Sequence, residues 1–312
     1  MNGYTDRSGR EIGTTRRRLL TGAFEGAIAG ALLGSGVTAQ AQPGLVAKRP
    51  KKAVKIGMVA IDGSLEHKFK SLVRLGFDGV EMDSPSDLDP QEVIAARDAA
   101  GIAIPGVVDS AHWSQPFSHP DAKVREQGVR ALETALRDAA RFGATSVLVV
   151  PAVVSKEVGY ADAYRRSQHE IRKLLPLARE LGVRIAFENV WNNFLLSPLE
   201  MARYVDEFED PLVGVHLDPG NLVRFGWPEH WIEVLGARIL KMDVKDYSRK
   251  KQLEEGLWKG FEVEIGDGDT DWPAVVAAAR AVGYEGWYTA EVAGGGEDRL
   301  RTISERMSRL LG

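Results

Sequence analysis

The chain has 312 residues, of which 44% are apolar and 27% are charged, and it contains no cysteine. This composition is typical of an ordinary globular protein, and it excludes an intrinsically disordered chain, a collagen and a disulfide-stabilised scaffold. The 40 basic and 44 acidic side chains give a net charge of −4. No block of like charge is long enough to bind a polyanion, so nucleic acid is not an expected partner.

Residues 1–41 resemble a bacterial twin-arginine export signal. The pair Arg16-Arg17 precedes a weakly apolar run, and an Ala-x-Ala cleavage site ends at Ala41. Glu25 and five glycines make this run less hydrophobic than a helix that spans a bilayer. The segment therefore predicts export to the periplasm, with a retained membrane anchor or a cytoplasmic tail as the alternatives. No membrane span is expected in the mature protein.

Residues 42–53 are rich in proline and lysine and predict a linker, which leaves residues 54–312 as one folded domain. Within that domain one unit recurs, consisting of an amphipathic helix, a glycine, a short apolar strand and a polar residue where the strand ends. The glycines suit helix C-caps, which need a left-handed backbone. Eight strands are predicted, at residues 55–60, 79–82, 104–108, 146–150, 184–187, 213–217, 239–244 and 286–290.

The spacing of these strands predicts a barrel. Most of them are too short and too continuously apolar to be half-exposed antiparallel strands, and the helical segments between them favour parallel pairing with right-handed crossovers. Eight such units in about 260 residues match a (β/α)8 TIM barrel in number and length. An open, doubly wound sheet is the alternative, but its usual glycine-rich phosphate loop is missing after the first strand. The expected fold class is α/β, as a single-domain (β/α)8 TIM barrel.

The sequence Gly266-Asp267-Gly268 has two interpretations, a phosphate-binding loop or a turn before a helix. Asp271 is a good helix N-cap, and Pro273 suits the first turn of the same helix. The turn is therefore the favoured interpretation.

Acidic residues follow the predicted strands at the end of the barrel where chemistry is expected, because the loops after the strands converge there. A single acidic residue at a loop start is usually a turn or cap residue. Four of them on four successive strands would crowd one pocket, where their repulsion requires a cation or raised pKa values. A divalent metal ion resolves this repulsion, and strands one and four supply nothing comparable. The four residues are Glu188, Asp218, Asp243 and Glu291.

These residues lie in motifs that resemble the xylose isomerase-like TIM barrels of sugar isomerases and epimerases. The resemblance extends from about residue 54 to the end of the chain. It indicates the superfamily strongly, because four dispersed motifs occur in the right order, but it indicates a substrate only weakly. The motifs are Ala-Phe-Glu-Asn at 186–189, His-Leu-Asp-Pro-Gly-Asn at 216–221, Val-Lys-Asp at 244–246, and the closing run 266–291.

The resemblance implies roles for the four carboxylates. Glu188, Asp218, the strand-seven residue and Glu291 bind the metal, and the two glutamates also form an acid/base pair on opposite faces of a sugar. Relatives usually have a histidine on strand seven, whereas this chain has Asp243. An all-oxygen site favours Mn²⁺, with Mg²⁺ or Co²⁺ as alternatives, over Zn²⁺. The open alternative is that Lys241 points inward and pairs with a carboxylate, which would weaken or replace the metal.

Six further residues are expected to contact the substrate. The resemblance places Asn221 where relatives have a substrate-touching histidine or asparagine, and Arg249 where epimerases have an arginine that orients the substrate. His112 stands on a loop beyond strand three and is expected to contact the sugar. His216 shares a face with Asp218 and is either a group that supports a metal ligand or contacts the substrate, or a packed histidine of the barrel. The full expected set is His112, Asn189, His216, Asn221, Lys245 and Arg249.

Four tryptophans follow strands closely at the same end of the barrel. Aromatic faces cover the apolar face of a sugar well, but large aromatic residues in loops also simply cover a barrel mouth. Both interpretations stay open for Trp113, Trp191, Trp227 and Trp258.

The predicted function is a metal-dependent isomerisation or epimerisation of an unphosphorylated ketose or keto-sugar. One glutamate removes the proton beside the carbonyl, the metal and Arg249 or Lys245 stabilise the enediolate, and the other glutamate returns a proton. The alternatives are a metal-dependent lyase or hydrolase of 3-keto-glycosides and a non-catalytic carbohydrate-binding barrel. The apurinic-endonuclease branch is disfavoured, because it needs a histidine-rich three-zinc cluster and a basic groove. The expected partners are a small carbohydrate and, as an open alternative, further copies of this chain.

Overall fold

The structure is a computed structural model that describes residues 49–312. Within them, eight parallel strands form a closed barrel in which each strand pairs with its neighbours in sequence and β8 pairs with β1. The predicted export signal and most of the linker lie outside the described residues. The expected (β/α)8 barrel is confirmed. Its strands are β1 Lys51–Lys55, β2 Gly79–Ser84, β3 Gly106–Asp109, β4 Ser146–Val149, β5 Arg184–Glu188, β6 Val213–Leu217, β7 Ile239–Val244 and β8 Trp287–Ala290.

Helices connect the strands and cover the outside of the barrel. Asp121 accepts the N–H of Lys123 at the start of one helix, and Gly143, one of the predicted glycine C-caps, ends that helix with a left-handed φ of 74°. The helices of the described part are α1 Leu65–Arg74, α2 Pro90–Ala100, α3 Ala122–Phe142, α4 Tyr160–Arg172, α5 Leu175–Leu181, α6 Pro198–Asp206, α7 Pro219–Leu222, α8 Pro228–Leu235, α9 Arg249–Glu255, α10 Trp272–Ala281 and α11 Glu297–Leu311, with 3-10 turns at Ile56–Met58, Gly236–Arg238 and Leu257–Phe261.

The first strand is placed differently from its prediction. It spans Lys51–Lys55 instead of residues 55–60, so residues 51–53 belong to the barrel and not to a linker. Ala53 and Val54 are completely buried, and the backbone turns into a 3-10 helix directly after Lys55. Lys55 therefore stands at the carboxyl end of β1, at the mouth of the barrel, instead of at the opposite end.

The third strand also starts later than predicted, at Gly106 instead of residue 104. Pro105 has no N–H to donate to a neighbouring strand, so regular pairing begins after it. The glycine is needed there, because a Cβ at Gly106 would lie 2.0 Å from Lys241 Nζ. The inside of the barrel is therefore filled at this level by the lysine side chain.

No helix among residues 49–312 has both the length and the apolar character that crossing a bilayer requires.

Candidate active site

The structure brings the four predicted carboxylates together at the mouth of the barrel. Glu188 is the last residue of β5, Asp218 follows β6, Asp243 lies near the end of β7, and Glu291 follows β8. One oxygen from each carboxylate lies within 4.8 Å of one oxygen from each of the others. We call this group the carboxylate cluster. Its convergence follows from topology, because parallel strands of a closed barrel end on the same rim.

Two lysines contact this cluster. Lys55 Nζ lies 2.9 Å from Asp243 Oδ2 and 2.9 Å from Glu291 Oε1. Lys245 Nζ lies 2.8 Å from Asp218 Oδ2 and 2.6 Å from Glu291 Oε2. Three of the four carboxylates are therefore already paired with ammonium groups.

Lys55 is a site residue that sequence reasoning missed, because the first strand was expected to supply nothing at the mouth. The error follows from the predicted position of that strand, which put Lys55 at its amino end. The available signal was a lysine directly after the buried apolar pair Ala53-Val54. Lys245 was expected to contact substrate, and the structure places it against the carboxylates and in the lining of the cavity above them.

Asp243 has a different environment from the other cluster members. Its Oδ1 lies 2.8 Å from His216 Nε2, and its Oδ2 accepts a hydrogen bond from Lys55. His216 therefore lies behind Asp243 as a buried partner, which is one of the two expected alternatives for this histidine. Lys241 does point into the barrel, but it pairs with Glu81 at 2.6 Å. The basic groups in the cluster are thus Lys55 and Lys245.

Two asparagines hold Asp218 in place. Asn189 donates to the carbonyl of Asp218 and accepts the N–H of the same residue, each at 2.8 Å. The side-chain amide of Asn221 donates to the carbonyl of Asn189, and the backbone N–H of Asn221 donates to Asp218 Oδ1. Asn221 also lines the cavity above the cluster. Asn189 therefore has a positioning role, while Asn221 combines positioning with access to a ligand.

Two of the expected substrate contacts are engaged elsewhere. His112 is buried, accepts the N–H of Val150 at Nδ1, and has a pKa lowered to about 4 by burial, so its ring is neutral at neutral pH. Arg249 donates to the carbonyls of Val223 and Gly226 and stacks over Trp227. Neither side chain is among the described residues that line the cavity.

Burial and the two lysines drive the carboxyl pKa values apart. Burial raises the pKa of Glu188, and the nearby charge of Glu291 adds to the increase. Burial raises the pKa of Asp218 to about 6, against the opposing charge of Lys245. Burial acts in the same direction on Glu291, but the charges of Lys55 and Lys245 outweigh it and hold its pKa well below the usual range. The pKa values of the two glutamates are therefore shifted in opposite directions, as those of an acid and a base are.

The donor set of the cluster fits a hard divalent cation. It consists of four carboxylates without a thiolate or a directly contributing imidazole, which suits Mn²⁺ or Mg²⁺ better than Zn²⁺. Asp218 Oδ2 and Glu291 Oε2 are buried and accept no hydrogen bond of normal geometry, although Lys245 is close to both. A cation could bind these two oxygens in place of Lys245.

A cavity of about 480 Å³ opens above the cluster. Its side is formed by Trp191, Trp258 and Phe261, which we call the aromatic wall. The ring centroids of Trp258 and Phe261 lie 5.0 Å and 4.9 Å from that of Trp191. Trp113 also lines the cavity, whereas Trp227 does not. Three of the four predicted tryptophans are therefore placed where a ligand would meet them.

Asp246, the residue after Lys245, organises the loop between β7 and α10. Its buried carboxylate accepts the N–H groups of Tyr247, Gly266, Gly268 and Thr270 and the indole N–H of Trp272. A Cβ at Gly268 would lie 2.2 Å from Asp246 Oδ1, so glycine is needed there. The N–H groups of Gly266 and Gly268 are thus directed at a carboxylate, that of Asp267 donates to the carbonyl of Glu264, and Asp271 caps α10. The turn interpretation is confirmed.

Asp109, at the end of β3, is a buried acid without a basic partner. It accepts the N–H of Ala111 at Oδ1, while its Oδ2 has no donor among the described residues. Burial raises its pKa to about 7, although the Ala111 bond opposes this. Its ionisation therefore destabilises the folded protein.

We expect Asp109→Asn to stabilise the protein above pH 7 by roughly 2–4 kcal/mol. The folded-state pKa lies above the unfolded value of about 3.9, so the penalty of wild-type Asp109 is absent below that value, grows up to about pH 7 and is constant above it. Chemical unfolding from pH 4 to pH 8 measures this. The exposed Asp62→Asn is the control, and a variant effect that did not change with pH would contradict the assignment.

Known proteins resemble the chain in sequence. The 3-dehydroshikimate dehydratase of Pseudomonas putida is 26% identical over 262 residues, covering 76% of this chain and 37% of that enzyme, so the chain spans little more than a third of its length. The L-ribulose-5-phosphate 3-epimerase UlaE of Escherichia coli is 25% identical over 232 residues, covering 70% of this chain and 78% of that enzyme. The relatives thus include both epimerases and dehydratases.

Solved structures share the fold. The 3-keto-D-glucoside 4-epimerase YcjR from E. coli superposes with a TM-score of 0.71 at 16% identity, covering 84% of this chain and 99% of that one. The IolI protein with a bound zinc atom superposes with a TM-score of 0.69 at 16% identity, covering 84% and 98%. Residues 69–310 match the family described as xylose isomerase-like TIM barrel. This match covers β2 to β8 and all four cluster carboxylates, and the chain therefore belongs to the xylose isomerase-like TIM barrel family.

Proposed function

We propose that this protein is a divalent-metal-dependent epimerase or isomerase of an unphosphorylated ketose or keto-sugar, with Glu188 and Glu291 as its acid/base pair. The observation that carries the proposal is the carboxylate cluster at the base of the cavity, in which two glutamates reach the same space from β5 and β8. The epimerases among the relatives support the reaction class.

Glu188, Asp218, Asp243 and Glu291 would hold the cation. When bound, a divalent cation would polarise the carbonyl of the substrate and acidify the neighbouring C–H group; we propose Mn²⁺ first, and Mg²⁺ or Co²⁺ as alternatives.

Side chains that border the cavity would transfer the protons and contact the substrate. One glutamate removes the proton beside the substrate carbonyl, and the other returns a proton to the opposite face for epimerisation or to the neighbouring carbon for isomerisation. Asn221 and Lys245 line the same cavity and can donate to substrate oxygens. Asn189 keeps Asp218 in register through its two backbone hydrogen bonds.

The charges around the cavity favour a neutral substrate. Glu188, Glu262 and Glu291 line it, and the one basic side chain among the described lining residues, Lys245, is already paired with carboxylates. A phosphorylated sugar would therefore meet three carboxylate groups and a single ammonium group in this lining. Export to the periplasm, which we also propose from residues 1–41, agrees with an unphosphorylated substrate.

The aromatic wall favours one second candidate, a metal-dependent lyase or hydrolase of 3-keto-glycosides. Trp258 is 67% exposed at the cavity, and such a surface can cover a second sugar ring or an aglycone. The same proton abstraction would then expel the neighbouring substituent. The dehydratase among the relatives, an eliminating enzyme by its name, supports this candidate.

We expect the purified protein, supplied with Mn²⁺, to exchange one carbon-bound hydrogen of its substrate with solvent deuterium. The experiment is a screen of unphosphorylated ketoses, their phosphorylated counterparts and 3-keto-glycosides in D₂O, with product analysis by NMR and mass spectrometry. Exchange with an epimeric or isomeric product supports the first candidate, and release of an alcohol or aglycone supports the second. Exchange confined to phosphorylated sugars would overturn the proposed substrate class, and binding without exchange would indicate a non-catalytic barrel.

A further inference from the structure

We propose that Lys55 and Lys245 occupy the cation position of the carboxylate cluster in the metal-free protein, and that a divalent cation binds there only as their ammonium groups withdraw. The inference rests on the proposed function because it concerns the same cation. It goes beyond that function by assigning the two lysines a role as internal competitors of the metal.

The contacts of the two ammonium groups carry the inference. Lys55 bridges Asp243 and Glu291, and Lys245 bridges Asp218 and Glu291, with N–O distances between 2.6 and 2.9 Å. Both oxygens of Glu291 are therefore in contact with a lysine. These are oxygens that a cation would need, because Mn²⁺ and Mg²⁺ are held by carboxylate oxygens at about 2.0–2.2 Å.

Charge counting explains why the lysines are present. Ionised carboxylates repel one another, and the two ammonium groups offset two negative charges, so the cluster can fold without its full repulsion. A divalent cation would offset the same charges. A cation and an ammonium group cannot approach the same oxygen together, since they repel each other at close range. Metal binding must therefore break these lysine contacts, which weakens the apparent affinity.

The two lysines differ in how easily they can withdraw. Lys245 has other partners nearby, because its Nζ lies 3.5 Å from Asn221 Oδ1 and 5.5 Å from the centre of the Phe261 ring, beside the cavity. The Lys55 side chain is 11% exposed, and its ion-pair partners among the described residues are Asp243 and Glu291. Lys55 is therefore the stronger competitor.

The test measures Mn²⁺ binding to the full chain after metal removal with a chelator, by calorimetry and by the electron paramagnetic resonance signal of free Mn²⁺. We expect Lys55→Met to bind Mn²⁺ on the order of tenfold more tightly than wild type, with a smaller gain for Lys245→Met. Lys55→Arg keeps the charge and should keep the weak affinity. The control is Lys52→Met, a buried lysine whose ammonium donates to Ser304 and Ser308 and not to the cluster.

A second readout does not depend on an activity assay. Without metal, Lys55→Met should melt at a lower temperature than wild type, because the cluster loses a neutralising charge. Added Mn²⁺ should then raise its melting temperature by more than it raises that of wild type. If Lys55→Met does not fold, the Mn²⁺ affinities and melting temperatures of Lys245→Met and Lys55→Arg test the inference instead.

Equal Mn²⁺ affinity in wild type, Lys55→Met and Lys245→Met would overturn the inference and leave the proposed metal dependence intact. Weaker binding by the methionine variants would overturn it too, since the lysines would then assist the cation. Absence of Mn²⁺, Mg²⁺ and Co²⁺ binding in every protein would overturn the inference together with the metal part of the proposed function. Mn²⁺ binding by Lys55→Met or Lys245→Met without detectable binding by wild type would support the inference.

Discussion

Glu188→Gln and Glu291→Gln are each expected to lower solvent-deuterium exchange into the substrate by about 10²–10⁴-fold while the protein stays folded. Positioned acid/base groups contribute rate factors of this size, and glutamine can neither accept nor return the proton at neutral pH. Each substitution also removes one negative oxygen from the cation position. The measurement is NMR detection of deuterium in recovered substrate, with circular dichroism as the check of folding.

Glu262→Gln is the matched control for these two variants. Glu262 lines the same cavity, but it is exposed and pairs with Lys259 outside the carboxylate cluster. It should therefore retain exchange within a few-fold of wild type. If Glu188→Gln or Glu291→Gln exchanged deuterium as fast as this control, the acid/base assignment would be wrong, whatever the metal content.

Asp246→Ala is expected to have the largest effect on stability, lowering the free energy of unfolding by at least about 3 kcal/mol. The substitution leaves four backbone N–H groups and one indole N–H without their shared acceptor, and each buried donor without a partner costs about 1–3 kcal/mol unless water reaches it. Chemical unfolding measures the total loss. Hydrogen exchange should show lost protection at residues 266–272.

The control for this variant lies in the same loop. Asp267 is exposed and pairs with Arg306 at the surface, so Asp267→Ala should change stability by less than about 1 kcal/mol. The stability of Asp246→Asn should lie between those of Asp246→Ala and Asp267→Ala, because the amide oxygen of asparagine can still accept hydrogen bonds but its NH₂ group faces donors. Equal stabilities of Asp246→Ala and Asp267→Ala would show that the loop does not depend on the buried carboxylate.

Most strand positions were predictable because the start and end of each strand are marked in the local sequence. The bounds of β6 and β7 agree with their predictions, since each is a short, mostly apolar run that follows a predicted helix end. The first strand was misplaced because its lysines resemble a linker, although Lys52 is buried by hydrogen bonds to α11, far away in sequence. Local pattern cannot show a partner of that kind.

Part of the candidate site was likewise predictable from the sequence, and part of it was not. The meeting of Glu188, Asp218, Asp243 and Glu291 follows from strand order alone, because successive strands of a closed barrel end on one rim. The partners of the lysines do not follow from strand order. Lys241 reaches Glu81 across the inside of the barrel from β7 to β2, which its neighbours in sequence do not indicate.

The sequence by itself determined the eight-stranded barrel, the family and the four acidic residues at its mouth, since each depends on periodicity or on which residue ends a strand. Only the tertiary structure decided that Lys55 enters the cluster, that Arg249 turns away to Val223 and Gly226, and that Asp246 ties down the loop before α10. The physical reason is that ion pairs and hydrogen bonds depend on distances of about 3 Å between residues far apart in the chain, and a shift of a few residues in one strand changes which end of the barrel a side chain occupies.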